Sequence, residues 1–408
     1  MTVRRGVVFS VLAACVLAAV AAARPGGDPG VTSSSILIGG TSPISGEAAA
    51  GTAVAAGANA YFKWVNTHGR VAGRAINYKY LDDGYDPGKT VLAVRQLVEQ
   101  DKVFAIFNVL GTNNNLAVRE YLNGKKVPQL FAASGFTGFG SDYRKYPYTI
   151  GYIPTYSAEG AVYGRYLATT KPSAKIAVLY QDDDYGKDLL NGLRRGLGSK
   201  AGNIVKSVGY DPTQPNVDSQ VADLKGTGAN VFMIFCFGKF ALQAFINANK
   251  LGWHPQIFVN DVASTTGILQ IATATASKRT TNGTISIVFA KDPADPSWAK
   301  DPGILLFQRV MKAAGLGSAV NLRNGYYAAG MASAFTLVDA LKKAGRNLTR
   351  QTLLKATANL NEANNPFLLP GIVVKTGPND RFPIEQMQLQ RWNGTRWIRF
   401  AGLVTART

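Results

Sequence analysis

The chain has 408 residues, 46% of them hydrophobic and 17% charged, the make-up of a globular rather than a disordered protein and a length that divides into two domains. A formal charge of +19 raises nucleic acid as a partner, but the basic residues are scattered in pairs such as Lys125-Lys126, Arg194-Arg195, Lys278-Arg279 and Lys342-Lys343. With no long basic run, this is a basic surface and not a nucleic-acid site.

At the N-terminus, Arg4 and Arg5 precede an uncharged apolar stretch that ends in Ala21-Ala22-Ala23 before Arg24-Pro25-Gly26, the order of a secretory signal peptide over residues 1–23. Leu12-Ala13-Ala14-Cys15 offers the alternative of a lipoprotein box with Cys15 lipidated. The apolar run continues past Cys15 to Ala23, which favours cleavage after Ala23. Either route places the mature chain outside the cytoplasm, in the periplasm or on the cell exterior. No later segment has the ~18 consecutive apolar residues that span a bilayer. Cys236, in VFMIFCFGKF, is then left without an intramolecular partner and reads as a packing residue.

Ile36–Gly39 opens the first strand, Ala48–Thr67 is an Ala-rich helix, Ala75–Leu81 is the next strand, and Thr90–Gln100 has helical spacing after the Asp86-Pro87-Gly88 break. Val103–Val109 is a nearly continuous apolar run that ends in Gly111-Thr112-Asn113 before a helix, and Val127–Ala133 is a second run that ends in Ser134-Gly135. In an open parallel sheet, ligands bind outside the carboxyl ends of the strands, where helix N-termini offer N–H groups to anions. The Thr112 and Ser134 hydroxyls would donate to the same anion, although Thr112, Asn113 and Ser134 serve equally well as helix caps.

The pattern restarts after Tyr148–Tyr152. Ser157–Thr169, Gly186–Leu197, Val217–Lys225 and Lys239–Leu251 read as helices between strands Lys175–Tyr180, Ile204–Tyr210, Val231–Phe235 and Gln256–Val259. Thr284–Phe289 is a strand, and Ile304–Ala314, Tyr326–Lys343 and Arg350–Asn359 are helices. Gly371–Lys375, Ile384–Trp392 and Thr395–Phe400 are strand-like, with Asn393-Gly394 as a hairpin signal. This β–α alternation predicts an α/β protein of two doubly wound parallel-sheet lobes. Without a low-complexity linker between them, several ordered crossings should join the lobes and let a ligand cleft close by hinge motion.

The two histidines, His68 and His254, sit beside turn residues, and no Cys/His cluster has metal-ligand spacing. The glycines of GGTSPISGEAAAG fit neither nucleotide-binding pattern, and Ser134-Gly135 is not a nucleophile elbow. The expectation is no enzyme, no metal and no cofactor. Within Asp182-Asp183-Asp184-Tyr185, Asp184 reads as a helix cap and Tyr185 as an aromatic that faces the cleft. Phe237 and Asp261 follow later strands of the same lobe.

SSILIGGTSPISGEAAAGTAVAAGANAYFKWVN, LDDGYDP, GTNNNLAVREYLNGKKVPQLFAASG, KYPYTIGYIPTYSAEG and VLYQDDDYGKDLLNGLRRGLG, together with the tail LLPGIVV and FPIEQMQLQRW, resemble the leucine/isoleucine/valine-binding protein family. Its members are solute-binding proteins of ABC importers with the type I periplasmic-binding fold. The resemblance implies lobe 1 over residues 33–152 and 287–368, lobe 2 over 153–286 and 369–408, a monomer, and a membrane permease as partner. It also implies a carboxylate-binding hydroxyl at Thr112, a second binding loop at Ala133, Ser134 and Gly135, a second-lobe aromatic at Tyr185, a further one at Cys236 or Phe237, and an ammonium-pairing acid near Asp261. Three departures stand out. Gly135 replaces a threonine, Gly51 or a nearby alanine replaces a tyrosine and should enlarge the pocket, and Tyr85 and Gly111 replace the first-lobe disulfide. The expected ligand is a small carboxylate, a branched-chain or other amino acid. Aromatic acids, short amides or a soluble sensing role are the alternatives.

Overall fold

The computed structural model describes residues 27–406, so the signal-peptide reading and Cys15 lie outside the described residues. Short apolar runs alternate with amphipathic segments. β1 (Ser35–Ser42), α1 (Thr52–Thr67), β2 (Ala75–Asp82), α2 (Pro87–Arg95), β3 (Ala105–Phe107), α3 (Thr112–Gly124), β4 (Gln129–Ala132), the single turn α4 (Gly138–Ser141) and β5 (Thr149–Gly151) follow in order. Helical crossovers make the strands parallel, and they lie in the order β2-β1-β3-β4-β5. The Asp86-Pro87 break is also a helix start: Lys89 N–H donates to the Asp86 carboxylate at 2.9 Å, and Pro87 takes the first helical position, where no N–H is needed.

The second lobe repeats the scheme with α5 (Tyr156–Thr170), β6 (Ile176–Gln181), α6 (Asp184–Leu197), β7 (Ile204–Tyr210), α7 (Asp218–Gly226), β8 (Val231–Phe235), α8 (Lys239–Lys250), β9 (Gln256–Val259), α9 (Thr266–Thr275), α10 (Lys278–Thr281) and β10 (Ile285–Val288). The sequence reading left α9 out. Its Thr- and Ala-rich run looks like a loop, yet Leu269 and Ala272 are fully buried while Ile271 faces solvent, which is helical spacing. α6 is capped by Asp183, not Asp184: the Asp183 carboxylate accepts from Tyr185 and Gly186 N–H at 3.0 and 3.2 Å.

The chain then returns as α11 (Pro302–Ala313), α12 (Gly325–Ala344) and α13 (Arg350–Thr357), with α11 and α12 packed on α1. Of the strand expected at Gly371–Lys375, β12 (Val374–Lys375) forms, paired with β11 (Asn361–Glu362). β13 (Gln386–Trp392) and β14 (Trp397–Thr405) form the expected hairpin, and they extend the second sheet to the order β14-β13-β10-β9-β8-β6-β7. The chain thus passes between the sheets three times. Two of the passages pair with each other: Leu369 N–H donates to Phe289 O at 2.9 Å and Lys291 N–H to Phe367 O at 2.8 Å.

α5 and α6 lie unusually close because glycines face backbone across their contact. A Cβ on Gly192 would stand 2.2 Å from Ser157 O, one on Gly196 would stand 2.2 Å from Ala161 O, and one on Gly160 would stand 2.2 Å from Leu189 O. Backbone cannot yield as a flexible side chain does. Gly192→Val is therefore expected to destabilise the fold by roughly 2–3 kcal/mol or more, read as a lower urea midpoint at unchanged slope. An unchanged midpoint would mean that the helices part freely.

Candidate functional site

The two first-lobe loops expected to bind the ligand each follow a residue held in the left-handed region, Asn108 at φ 56° just after β3 and Phe131 at φ 54° inside β4. Such strain costs on the order of 1–3 kcal/mol per residue and collects at functional sites. The Asn108 side-chain amide donates to the Ser333 hydroxyl. The Asn115 amide holds the first loop by donating to Val109 O and Gly111 O, both at 2.7 Å. Thr112 and Ser134, expected to face the ligand, are only 2% and 1% exposed, and their hydroxyls hydrogen-bond each other at 2.7 Å. The Ser134 oxygen also accepts from Phe136 N–H at 3.2 Å.

Tyr156, the first residue of α5, covers this pair. Tyr156 N–H donates to Gly135 O at 2.7 Å, and burial holds its phenol well above its ordinary pKa. A Cβ on Gly135 would meet Pro154 O at 2.5 Å and the Tyr156 ring at 2.9 Å, so the threonine of the family pattern has no room here. Gly51 gives a correction of a similar kind. A Cβ there would stand 2.9 Å from Leu110 Cδ1 and 3.6 Å from the Phe237 ring. The space left by a missing tyrosine is filled rather than open.

Tyr85 and Gly111 are neighbours, as a disulfide position would require: a Cβ on Gly111 would touch the Tyr85 ring at 2.8 Å. Tyr85 is held at φ 65° by its N–H donating at 3.0 Å to Asp83, a buried carboxylate that also accepts from Thr41 at 2.7 Å and Thr90 at 2.9 Å. The Tyr85 ring reaches across to Phe237, with centroids 5.4 Å apart. Other contacts also close the lobes. Thr137 donates through N–H and hydroxyl to Asp188 at 2.8 and 2.9 Å, and the Tyr326 hydroxyl donates to Val262 O at 2.6 Å. Tyr85→Ala removes a ring from this seam, and small-angle scattering is expected to give the unliganded variant a larger radius of gyration than the wild type. Equal radii would remove Tyr85 from lobe closure.

Between the lobes lies a cavity of about 140 Å³, partly open to solvent, and Ala133, Tyr185, Phe237 and Asp261 lie on its wall. Thr112, Ser134 and Gly135 do not; they stand behind Tyr156, which does. Most of the remaining wall is apolar or aromatic, with Val54, Leu110, Phe131, Ile153, Val288 and Phe289 among its members. Tyr185 is 2% exposed and packs edge-on against Tyr156 at 4.9 Å. Its hydroxyl has no hydrogen-bond partner, and neither does Asn108 Oδ1, on the same wall.

Glu159, one turn into α5, supports Asp261 from behind: Glu159 Oε1 accepts from Asp261 N–H and from the Tyr163 hydroxyl, each at 2.7 Å. Burial pushes the Glu159 carboxyl up to about 7. Burial, reinforced by the charge of Glu159, holds the Asp261 carboxyl well above the usual carboxylate range. Lys291 is on the wall but is bound to both Asp301 oxygens at 2.8 and 2.9 Å. The wall thus gathers acid without free cation, and an ammonium group would relieve it.

Tyr85, Asn108, Tyr156, Glu159 and Tyr326 were missed as site residues. Only Tyr85 and Glu159 gave a signal, one at a lost disulfide position and the other as a lone acid in the apolar run YSAEGAVYG. Among the described residues, no cluster could hold a metal ion and no helix is long and apolar enough to cross a membrane.

The chain matches the sequence profile of a family described as periplasmic binding protein over residues 35–396. The Leu/Ile/Val-binding protein homolog 7 of Brucella abortus is 26% identical over 248 residues, 59% of this chain and 61% of that protein. The chain spans about half the length of the curated relatives it matches, with 44% for an amino acid binding protein of Pseudomonas aeruginosa. Two solved structures share the fold. A branched chain amino acid ABC transporter from Thermus thermophilus with bound valine superposes with a TM-score of 0.80 at 17% identity, covering 92% of this chain and 98% of that one. An ABC transporter solute binding protein from R. palustris in complex with benzoate gives 0.74 at 16% identity, covering 91% and 97%.

Proposed function

The chain belongs to the periplasmic binding protein family, of the leucine/isoleucine/valine-binding type, and on that premise we propose that it is the extracytoplasmic solute-binding protein of an ABC importer. It captures one small apolar solute bearing an amino group between its lobes and delivers it to a membrane permease. The observation that carries this reading is Asp261 on a mostly apolar wall, backed by the buried Glu159, with the wall's one lysine already bound to Asp301. Closure excludes water, which strengthens the contact between an ammonium group and this pair. Ala133, Tyr185, Phe237 and Asp261 are the proposed contacts with the solute, and Tyr85 and Tyr326 the proposed closing residues. Amino acids and simple amines both meet this description. Native mass spectrometry of the refolded chain, exposed to a panel of both, is expected to detect one adduct per chain, and no adduct with any member would contradict it.

A second reading, an aromatic acid, draws on the ring pairs Tyr156–Tyr185 and Tyr85–Phe237 and on the benzoate held by the R. palustris relative. It requires Asp261 to stay protonated beside the ligand. Its affinity would therefore rise at acid pH, whereas affinity for an ammonium would fall.

A further inference from the structure

The two polar ends that an amino acid would need are in opposite states here. The groups expected to meet a carboxylate are turned inward: Thr112 and Ser134 bond each other at 2.7 Å, Phe136 N–H donates to the same Ser134 oxygen at 3.2 Å, and the Tyr156 ring lies against Gly135, where a Cβ would meet it at 2.9 Å. None of Thr112, Ser134 and Gly135 reaches the cavity wall, and Tyr156 does. The acceptors for an ammonium lie open. Asp261 is on the wall, backed by Glu159 through a 2.7 Å bond. Two buried atoms on the same wall are unpartnered, the Tyr185 hydroxyl and Asn108 Oδ1, in residues 2% and 4% exposed. Asn108 Oδ1 can only accept a hydrogen bond and the Tyr185 hydroxyl can accept one, so both suit a group rich in N–H donors.

We propose that the solute is an apolar primary amine with no carboxylate beside its ammonium group. This rests on the reading of the cavity as a solute site and narrows it. A carboxylate carried in beside the ammonium would meet the Asp261 carboxylate without reaching Thr112, Ser134 or Gly135, and a buried unpaired charge is strongly disfavoured. The Tyr156 ring takes the place of that carboxylate and makes the discrimination.

The test is calorimetric titration of the refolded chain with two matched sets: leucine, isoamylamine and isocaproate; phenylalanine, phenethylamine and hydrocinnamate. The expected result is that at least one amine binds at least about tenfold more tightly than both its amino acid and its deaminated acid. Tyr156→Ala, checked for folding by its melting transition, is expected to narrow that ratio by uncovering Ser134 and Gly135. Tighter binding of the amino acid than of its amine by the wild type overturns the inference, since Tyr156 would then yield to a carboxylate. Binding of the deaminated acids alone also overturns it and leaves solute capture standing. Silence with all six overturns it as well, and only silence across a wider panel of amino acids and carboxylates removes the capture reading too.

Discussion

Asp261→Asn is expected to raise the dissociation constant for the solute roughly a hundredfold or more while leaving the fold intact. Asn keeps the shape of the side chain and the Asp261 N–H bond to Glu159 is a backbone one, so the loop after β9 is preserved. What is lost is the charge opposite the ammonium. Removing one partner of a buried charge pair costs on the order of 3–5 kcal/mol, because the survivor is stranded on an apolar wall. Titration calorimetry of wild type and variant reads the difference directly, and an unchanged constant would remove Asp261 from the site.

The second large effect concerns the unliganded protein. Glu159 is buried with its carboxyl raised to about 7, so the folded state binds its proton more tightly than the unfolded state. That stability is fully present below the unfolded value near 4.5 and is lost as pH rises through about 7. The Asp261 carboxyl, raised in the same sense by burial and by the charge of Glu159, adds to the loss. The groups that face the Glu159 carboxyl are Tyr163 from α5 and Asp261 after β9, with Ser286 of β10 against the Tyr163 hydroxyl. Glu159→Gln keeps an acceptor for Tyr163 and Asp261 N–H while removing the charge. In urea unfolding, the empty wild type is expected to be less stable at pH 8 than at pH 5, and Glu159→Gln to be more stable than the wild type at pH 8. Asp261 and Glu362, the latter also buried and raised to about 7, titrate in the same sense and keep a residual slope in the variant. Identical pH profiles for variant and wild type would contradict the assignment.

The same carboxyl links stability to binding. An ammonium placed on Asp261, in front of Glu159, favours the charged form of the pair, so the solute should stabilise the protein most at the pH where the empty form is weakest.

Much of the architecture was legible because it depends on periodicity. The β–α alternation, the hairpin at Asn393-Gly394 and the return helices are signals spread over many residues, and tertiary packing did not overrule them. α9 was missed because its threonines mask a short apolar face, and the cap of α6 was placed one residue late because three consecutive aspartates look alike. The site was legible in place more than in state. Asp261, Tyr185, Phe237 and Ala133 lie on one wall, but nothing local in the sequence shows that Tyr156, twenty-two residues after Ser134, would turn its ring onto that loop. Asn108 and Phe131 adopt positive φ without being glycine, which no propensity rule foresees. Glu159 is an ordinary first-turn acid until its burial beside Asp261 is known. These features arise from contacts between segments far apart in sequence, which pattern reading along one chain does not reach.

The most direct test is a thermal-shift screen of the chain, refolded to strip carried-over solute, against apolar amines, amino acids, and aromatic and aliphatic carboxylates, with Asp261→Asn run beside the wild type. Binding to the folded state alone raises the melting temperature by mass action. The account predicts a rise with amino-bearing apolar compounds, absent with their deaminated analogues and lost in Asp261→Asn. A rise confined to carboxylates that lack an amino group, or one that persists unchanged in Asp261→Asn, would contradict it.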